Sequence, residues 1–377
     1  MKKLGIYIHI PFCTKKCGYC DFYSVKWNEV QEDRYIQSAI KEIQSYKRLG
    51  DKFVVDTVFI GGGTPSIIKA ESIEKLLNEV KKIFTVKKDA EITMEANPNT
   101  LTEDNLKEFN RIGINRLSMG VQSLEDNILK KIGRSHNSKE ALEAIDRAKS
   151  QGFENINADL MFNIPGQTVE SIKETILQLI KKGIKHISFY SLKLEEGTPM
   201  YKLEKDNKIT MPEEELERAM YHAGIELMEK HKLLQYEVSN FAVKGYECRH
   251  NLKYWNQDEY IGIGPSAHSF LGSMRFNNPP NLTEYIVSSE DEIFERNIQE
   301  FMTEEDLSFE YIMLRLRLTE GLNLSDFKNK FKIDFKEKYL EQIKYLTENN
   351  LAELSDESMK LTRKGMDISN YVFMQFM

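Results

Sequence analysis

Strand-like runs alternate with helix-like runs from Leu4 to about Leu194, and this alternation constrains the fold more than any other feature of the chain. The segments between the strand-like runs carry one-sided apolar stripes at helical spacing. The strand-like runs are Ile6–Ile10, Thr57–Ile60, Glu91–Glu95, Arg116–Met119, Asn155–Leu160 and Ile187–Tyr190. Six βα units predict an α/β protein with a parallel sheet. Because a closed barrel of this type has eight units, we expect a partial (β/α)6 barrel whose strand-end loops face one cavity.

Beyond the barrel, the chain changes pattern. Residues Met211–Lys232 predict a long helix that begins with Pro212 and three glutamates, which suit an N-terminal turn. Residues Tyr236–Phe241 predict a further strand. The segment Ser273–Asn281 is rich in Asn, Gly and Pro, so we expect a linker near it.

The last part of the chain has the outline of a small winged-helix-like α+β domain. From about Phe301 the pattern predicts a helix, a short helix over Leu324–Phe331, a helix over Phe335–Asn349, a hairpin over Ala352–Leu361 and a final helix. Residues 301–377 hold 11 Lys and Arg against 14 Asp and Glu, which argues against DNA binding. We therefore divide the chain into a barrel (1–240), an extension with a linker (241–290) and a C-terminal domain (291–377).

Composition excludes several classes of protein. Hydrophobic residues make up 41% of the 377 residues, but no apolar run is long enough to span a membrane. The net charge of −7 removes the attraction on which non-specific nucleic-acid binding depends. The N-terminus enters the first strand with no charged-then-apolar leader, so we expect a cytoplasmic protein. A small molecule or another protein is the expected partner.

Cys13, Cys17 and Cys20 supply three thiols from one short loop directly after the first strand. A structural zinc site uses four protein ligands, whereas an iron–sulfur cubane held by three thiolates leaves one iron open. The alternatives are one disulfide with a spare thiol, or a zinc site closed by His9 or a distant residue. The chain has only four cysteines, the fourth being Cys248, so it is not a disulfide scaffold. The spacing favours a redox cluster with an open iron.

The segment from Tyr7 to Cys20 resembles the cluster loop of radical S-adenosylmethionine (radical SAM) enzymes, and of the anaerobic coproporphyrinogen III oxidase family in particular. The resemblance covers nearly the whole chain. It implies a [4Fe-4S] cluster on Cys13, Cys17 and Cys20, with the amino and carboxylate groups of S-adenosylmethionine on the open iron. In that family the reduced cluster can cleave S-adenosylmethionine to methionine and a 5′-deoxyadenosyl radical.

The same resemblance implies further ligands of S-adenosylmethionine. The turn Gly61-Gly62-Gly63-Thr64-Pro65-Ser66 resembles the motif that binds the methionine ammonium, and Tyr7 and Tyr19 line the cofactor. The remaining ligands implied are Glu95 for the ribose hydroxyls, Gln122, Arg134 for the carboxylate, and Asp159 for ribose or adenosine. Taken alone, a Gly-rich turn after a strand is often only a turn, and each polar residue could be a surface or capping residue.

A second motif, His250-Asn251-Leu252-Lys253-Tyr254-Trp255, follows Cys248. Imidazole is a common axial ligand of haem iron, although a lone histidine is more often structural. The motif resembles the haem-binding motif of the haem chaperone branch of the family, the HemW type, and implies haem on His250. Cys248 is either a buried apolar thiol or a second soft ligand.

Two departures favour the haem chaperone branch over the oxidase branch. In the oxidase a further cysteine follows the third cluster cysteine after one residue, and a sizeable extension precedes the first strand. Here Cys20 precedes Asp21-Phe22-Tyr23, and three residues precede Leu4. We predict a chaperone that passes haem to an unidentified acceptor, a respiratory membrane protein being one candidate, and we assign no catalytic residue. Oxygen-independent coproporphyrinogen III oxidase is the alternative, a regulatory scaffold is a third, and homodimer formation stays open.

Overall fold

A computed structural model describes residues 1–290, Phe294 and residues 296–377. The strands, in chain order, are β1 (Lys2–Ile10), β2 (Phe12–Cys13), β3 (Val25–Lys26), β4 (Phe53–Gly62), β5 (Thr85–Ala96), β6 (Arg116–Gln122), β7 (Asn155–Phe162), β8 (His186–Ser191), β9 (Leu234–Glu237), β10 (Asn240–Ala242), β11 (Tyr260–Ile263), β12 (His268–Leu271), β13 (Met274–Asn277), β14 (Asn297–Phe301), β15 (Leu322–Asn323), β16 (Ala352–Leu354) and β17 (Ser358–Leu361).

The α-helices, in chain order, are α1 (Glu29–Ser45), α2 (Ala70–Ile83), α3 (Glu103–Arg111), α4 (Asp126–Lys131), α5 (Ser138–Ser150), α6 (Val169–Lys181), α7 (Pro199–Lys205), α8 (Glu214–Lys230), α9 (Arg249–Trp255), α10 (Leu282–Glu290), α11 (Glu304–Arg315), α12 (Leu324–Phe331), α13 (Phe335–Lys338), α14 (Leu340–Glu348), α15 (Arg363–Asp367) and α16 (Ser369–Phe373). Short 3₁₀ helices cover Lys47–Leu49, Pro65–Ile67, Pro98–Thr100 and Met374–Phe376.

The six predicted βα strands form the parallel part of one large sheet. Its strand order is β14-β13-β12-β11-β1-β4-β5-β6-β7-β8-β10-β9, in which β1, β4, β5, β6, β7 and β8 pair in parallel. The prediction of an α/β fold with a partial (β/α)6 barrel is therefore confirmed. On its second edge β1 pairs in parallel with β11, so the sheet extends beyond the six predicted strands.

The apolar stripes on the helices cover the outer face of the sheet. On α2 the predicted stripe of Ile73, Leu76, Leu77 and Val80 is buried. On the strands, the side chains that point away from the barrel interior are also buried, such as Leu117 and Met119 on β6. Burying one such side chain stabilises the fold by roughly 1.5–3 kcal/mol. The barrel therefore draws its stability from the layer between sheet and helices, and its inner face is free to be polar.

Several predicted elements differ in detail. The predicted strand over Tyr236–Phe241 is a hairpin, because residues 238 and 239 turn the chain between β9 and β10. The long helix begins later than predicted, at Glu214, with Glu213 as its N-cap residue. The segment 273–281, where we predicted a linker, contains β13, which pairs with β12 and β14. The division of the chain into three segments, with boundaries at residues 240 and 290, remains a proposal.

The C-terminal domain has the predicted winged-helix-like α+β order. It runs α11, β15, α12, α13, α14, β16, β17, α15 and α16, and β15, β17 and β16 form its small sheet. Its core is separate from the barrel core and includes Ile312, Leu316, Phe327 and Leu346. The helix predicted over residues 335–349 is two helices, divided at Tyr339.

The C-terminal domain contacts the barrel through polar pairs on α8. Arg218 forms an ion pair of 2.6 Å with Asp367, and Arg363 forms one of 3.1 Å with Glu229. The backbone N–H of Thr319 donates to the carbonyl of Tyr236 at 3.1 Å. Among the helices that the structure describes, none has the length and apolar character that crossing a bilayer requires.

A buried carboxylate on α1 holds the segment after β11 against the barrel. Glu42 accepts hydrogen bonds from the Gly264 N–H at 2.8 Å, the Asn278 side-chain amide at 2.8 Å and the Tyr285 hydroxyl at 2.6 Å. Burial raises the pKa of Glu42, and these three donors oppose that rise. One side chain thus joins α1, the β11–β12 turn and α10.

We expect Glu42→Ala to lower the free energy of unfolding by about 3 kcal/mol, because three buried donors lose their acceptor. Chemical denaturation of the purified chain measures this change. Gln37→Ala, at an exposed position on the same helix, is the control and should have little effect. Equal stability of the two variants would contradict the role given to Glu42.

Candidate functional site

The loops at the carboxyl ends of the parallel strands enclose a cavity of about 150 Å³. All the predicted cluster and S-adenosylmethionine residues except Tyr7 line it, namely Cys13, Cys17, Tyr19, Cys20, Gly62, Gly63, Thr64, Glu95, Gln122, Arg134 and Asp159. Sequence positions more than 140 residues apart therefore meet at one place, as barrel topology requires. We call this space the cluster cavity.

The cluster loop leaves β1 and is fixed at its centre by backbone hydrogen bonds. The Gly18 N–H donates to the carbonyl of Ile132 at 3.1 Å, and the Gly18 carbonyl accepts from the Met200 N–H at 2.9 Å. The three cysteines of the loop are free thiols and partly buried. Burial raises the pKa of the Cys20 thiol. The loop thus presents three thiols toward the cluster cavity from a fixed backbone.

The spacing of these thiols bears on which metal group they suit. Among the described residues, no three His, Cys, Asp or Glu side chains lie close enough to share one metal ion. In a cubane cluster each cysteine binds a different iron, so its ligands are more widely spaced than those of a single zinc ion. Three thiols from one loop suit a cubane, in which each cysteine binds a different iron and one iron stays open.

The glycine turn lies directly against the cluster loop. The Gly63 N–H donates to the carbonyl of Ile10 at 2.8 Å, and the Thr64 N–H donates to the carbonyl of Phe12 at 2.7 Å. A Cβ atom at Gly63 would lie 2.4 Å from the Phe12 carbonyl oxygen, so no larger residue fits there. The Thr64 hydroxyl is 3.5 Å from the Cys13 Sγ. The turn can therefore present bare backbone to a ligand beside the thiols.

Arg134 joins the cluster loop to the sheet. Its guanidinium donates to Cys17 Sγ at 3.5 Å and to the Asn97 side-chain oxygen at 2.6 Å, and it also contacts the Gly120 carbonyl. Its Nε is buried and has no acceptor in the part of the chain that the structure describes, so a donor remains for an anionic ligand. The predicted role of Arg134 toward a carboxylate fits this free donor.

Two acids, Glu95 and Asp159, line the cluster cavity. Burial, with the nearby charge of Asp159, raises the pKa of Glu95 to about 8, and burial also raises the pKa of Asp159. Glu95 accepts from the Gly62 N–H at 3.0 Å, and Asp159 accepts from the Asn157 amide at 2.7 Å. At neutral pH this pair holds a proton, which suits it to bind hydroxyl groups as both donor and acceptor.

The aromatic residues lie on both sides of the acids. Burial raises the pKa of Tyr19, which lines the cluster cavity. Gln122 has a positive φ of 66° and accepts a hydrogen bond from the Tyr190 hydroxyl at 3.0 Å. Tyr7 does not line the cluster cavity; its hydroxyl lies 3.0 Å from His9 Nδ1 and faces a second space below.

This second space, the interior cavity, has a volume of about 220 Å³ and lies inside the barrel. It shares Glu95, Ser118 and Asp159 with the cluster cavity. Helix α9 closes its other side with His250, Asn251 and Tyr254, while the sheet contributes Tyr7, Phe59, Arg116, Asn157 and Ser188. The two motifs singled out in the sequence therefore lie at opposite ends of one barrel.

His250 is 1% exposed, and both of its ring nitrogens have partners in the protein. Its Nδ1 lies 2.8 Å from the Thr57 hydroxyl, and its Nε2 lies 2.9 Å from the Tyr254 hydroxyl. Burial lowers the pKa of His250 to about 3, so the ring is neutral. A metal could bind this imidazole only after one of these hydrogen bonds is broken.

Glu91 fixes the start of α9. Its carboxylate accepts from the backbone N–H groups of Arg249 at 3.0 Å and His250 at 3.1 Å. The Cys248 Sγ lies 3.7 Å from the same carboxylate, and burial raises the pKa of Cys248 to about 12. Cys248 is therefore a buried, protonated thiol at neutral pH.

A wider groove of about 980 Å³ lies beside the cluster cavity, between the ends of β7 and β8, helix α8 and the C-terminal domain. Phe162, Phe189 and Tyr221 stack along its wall, with ring centroids 4.6–6.3 Å apart. Tyr190 lines both the groove and the cluster cavity.

Sequence reasoning missed several polar residues of the site. Asn97, Ser118 and Tyr190 line the cluster cavity, and Arg116, Asn157 and Ser188 line the interior cavity. A signal was present, because polar residues alternate with apolar ones on these strands. On β6, Arg116 and Ser118 alternate with Leu117 and Met119, and side chains two residues apart share one face of a strand.

We expect Glu95→Gln to make the cofactor-free chain more stable than the wild type near neutral pH. The wild-type carboxyl has a pKa of about 8 when folded and 4.5 when unfolded, so folding favours its protonated form. Its contribution to stability is intact below pH 4.5 and is lost as the pH rises toward 8. The neutral amide avoids this loss and can still accept from Gly62.

The measurement is the melting temperature of both chains as a function of pH. The advantage of Glu95→Gln should grow across this pH interval to roughly 1–3 kcal/mol. Glu103→Gln, on an exposed helix start, is the control. A constant difference across the interval would contradict the raised pKa.

Comparisons with known proteins agree with this geometry. Residues 7–179 match the model of the Radical SAM superfamily, and residues 302–368 match that of the HemN C-terminal domain. A protein of Lactococcus lactis named heme chaperone HemW is 35% identical over 376 residues, covering 100% of this chain and 98% of its own. A Bacillus subtilis protein of the same name is 37% identical over 374 residues, covering 98% of each chain.

A solved structure gives the same fold. The coproporphyrinogen III oxidase HemN of Escherichia coli, described as a radical SAM enzyme, superposes with a TM-score of 0.86 at 22% identity, covering 100% of this chain and 90% of that one. Within the radical SAM superfamily, the chain belongs to the family of proteins named heme chaperone HemW.

Proposed function

We propose that the chain is a haem chaperone that holds a [4Fe-4S] cluster on Cys13, Cys17 and Cys20, binds S-adenosylmethionine beside it, and passes haem to an acceptor protein. The name shared by full-length relatives supports haem as the cargo. The observation that carries the proposal is the convergence of three free thiols, the glycine turn, Glu95 and Arg134 in one cavity.

The residues of the cluster cavity fit both resident cofactors. Three thiols leave one iron of a cubane for S-adenosylmethionine, which then supplies the chemistry of the superfamily. Gly63 can present its backbone to the methionine ammonium, and the free Nε–H of Arg134 can meet the carboxylate. Glu95 and Asp159, which hold a proton between them, can bind the ribose hydroxyls.

We place the haem motif at the barrel end opposite the cluster, with His250 as the proposed iron ligand. Because Nδ1 and Nε2 of His250 are hydrogen-bonded to Thr57 and Tyr254, coordination requires one of these two hydroxyls to give up its hydrogen bond. This proposal includes a cytoplasmic location and an acceptor that is either soluble or membrane-bound. We also propose that haem transfer takes place in a homodimer of this chain.

We expect the purified chain to bind one haem saturably, and His250→Ala to weaken this binding by at least about tenfold, because an axial ligand is removed. A haemin titration followed by the Soret band and by bound iron measures both. Tyr254→Phe is the matched control, since it keeps the ring and frees Nε2, and it should bind haem at least as tightly as the wild type.

Two results would contradict the proposal. Equal haem binding by the wild type and His250→Ala would remove His250 as the ligand. Steady formation of protoporphyrinogen from coproporphyrinogen by the reduced chain with S-adenosylmethionine would favour the oxidase instead.

We expect Gly63→Ala to lose most of its cluster after anaerobic reconstitution. The new Cβ would lie 2.4 Å from the Phe12 carbonyl oxygen, so the cluster loop and the glycine turn must separate. Iron and sulfide content, with the visible absorption of the cluster, measure the loss.

Gly113→Ala is the control for this substitution. Its φ of +102° makes the change strained, but no atom lies within 4 Å of the new Cβ. This variant should lose stability and keep its cluster. A full cluster in Gly63→Ala would show that the contact between the two loops is not needed for cluster binding.

A further inference from the structure

The guanidinium of Arg116 lies inside the barrel and has no partner among the described residues. Arg116 begins β6, is 1% exposed and lines the interior cavity. Its Nε is buried without an acceptor, and the side chain forms no ion pair or hydrogen bond with the described residues. A buried charge that lacks a partner is strongly unfavourable, so this position calls for an anion.

The carboxylates near Arg116 have their hydrogen bonds elsewhere. Glu91 accepts from the first N–H groups of α9, and Glu95 accepts from the Gly62 N–H. Asp159 accepts from Asn157 at 2.7 Å and from Ser118 at 3.4 Å. The nearby charges of Glu91 and Asp159 raise the pKa of Arg116, but neither carboxylate contacts its guanidinium.

Further polar atoms without partners among the described residues occur on the neighbouring strands and on α9. In the strand register Thr93 and Asn155 lie on either side of Arg116, and their side-chain oxygens are also buried without partners. Across the interior cavity lies Asn251 of α9, whose side-chain amide makes no hydrogen bond with the described residues. Donors from the sheet and from the haem motif thus face one enclosed space.

We propose that Arg116 and Asn251 form a binding site for one carboxylate group inside the barrel. A guanidinium offers two parallel N–H groups that match the two oxygens of a carboxylate, and the amide adds a further donor. The cavity of about 220 Å³ accommodates a short-chain carboxylate. It is smaller than the roughly 300–1,000 Å³ of sites that enclose a whole drug-sized ligand.

The carboxylate has two chemical sources, a free short-chain acid or a propionate group of haem. The second source rests on the proposed function, whereas the first does not. Glu95, Ser118 and Asp159 line both this cavity and the cluster cavity. Because burial raises the pKa of both acids, this shared wall carries less negative charge at neutral pH than two ordinary carboxylates would.

The first test uses sodium propionate as the probe and the melting temperature of the full chain as the readout, with sodium chloride at equal ionic strength as the reference. Propionate should raise the melting temperature of the wild type and leave Arg116→Gln unchanged. Without propionate, Arg116→Gln should melt no lower than the wild type, because it removes an unpaired buried charge.

A second variant guards against a folding artefact. Asn251→Asp places a carboxylate opposite the guanidinium, so it should raise the melting temperature without propionate and lose the response to propionate. A response equal in the wild type and Arg116→Gln, or absent from both, would overturn the site and leave a cavity that holds water only. A lower melting temperature of Arg116→Gln without propionate would likewise overturn it, since the guanidinium would then have a structural partner.

The second test separates the two sources by comparing haemin with its dimethyl ester, in which both propionates are blocked. A haem propionate at Arg116 should make haemin bind at least about tenfold tighter than the ester, and Arg116→Gln should abolish this preference. Equal affinity in the wild type assigns the site to a free carboxylate. If the wild type responds to propionate but binds no haemin, the carboxylate site stands and the proposed function fails.

Discussion

The backbone contact between the cluster loop and the glycine turn is the constraint on which the site depends. The N–H groups of Gly63 and Thr64 donate into the chain that leaves β1, so the turn after β4 is held against the thiols without any side chain between them. The N–H of Gly62 then donates to Glu95 at the end of β5. β1, β4 and β5 are neighbours in one parallel sheet. The register of these strands therefore fixes the positions of the cluster loop, the glycine turn and Glu95 relative to one another.

The inner face of the barrel is polar because its stability comes from the outer face. Side chains such as Leu117 and Met119 are buried beneath the helices, whereas Arg116 and Ser118 on the same strand face inward. A core filled with apolar side chains would be more stable, but it would leave no room for ligands and no donors to hold them. The hydrogen bonds of Asn157 to Ser118 and to Asp159 show that polar groups inside the barrel form a network. Among the described residues, the Nε of Arg116 has no partner in this network.

Local signals made the barrel and the cluster cavity predictable from the sequence. The six strands follow from apolar runs and the glycine turn follows one of them, so chain order alone places Gly63 near Cys13. What failed depended on distant contacts. Residues 273–281 have the composition of a linker, yet Met274–Asn277 within them form β13 because a neighbouring strand supplies hydrogen bonds. The hydrogen bond between His250 and Thr57 could not be predicted either, because the two residues lie far apart in the chain.

The placement of the haem motif links three parts of the molecule. Helix α9 closes the interior cavity with His250 and Tyr254, while the ring of Trp255 lies 5.6 Å from the guanidinium of Arg317 in the C-terminal domain. A ligand at Nδ1 of His250 would replace the hydrogen bond that joins α9 to Thr57 on β4, whereas a ligand at Nε2 would replace a hydrogen bond within α9, to Tyr254. The interior cavity also shares Glu95 and Asp159 with the cluster cavity. If a ligand in one cavity alters the protonation of either acid, thermodynamic linkage requires the two cavities to influence each other's affinity by the same factor.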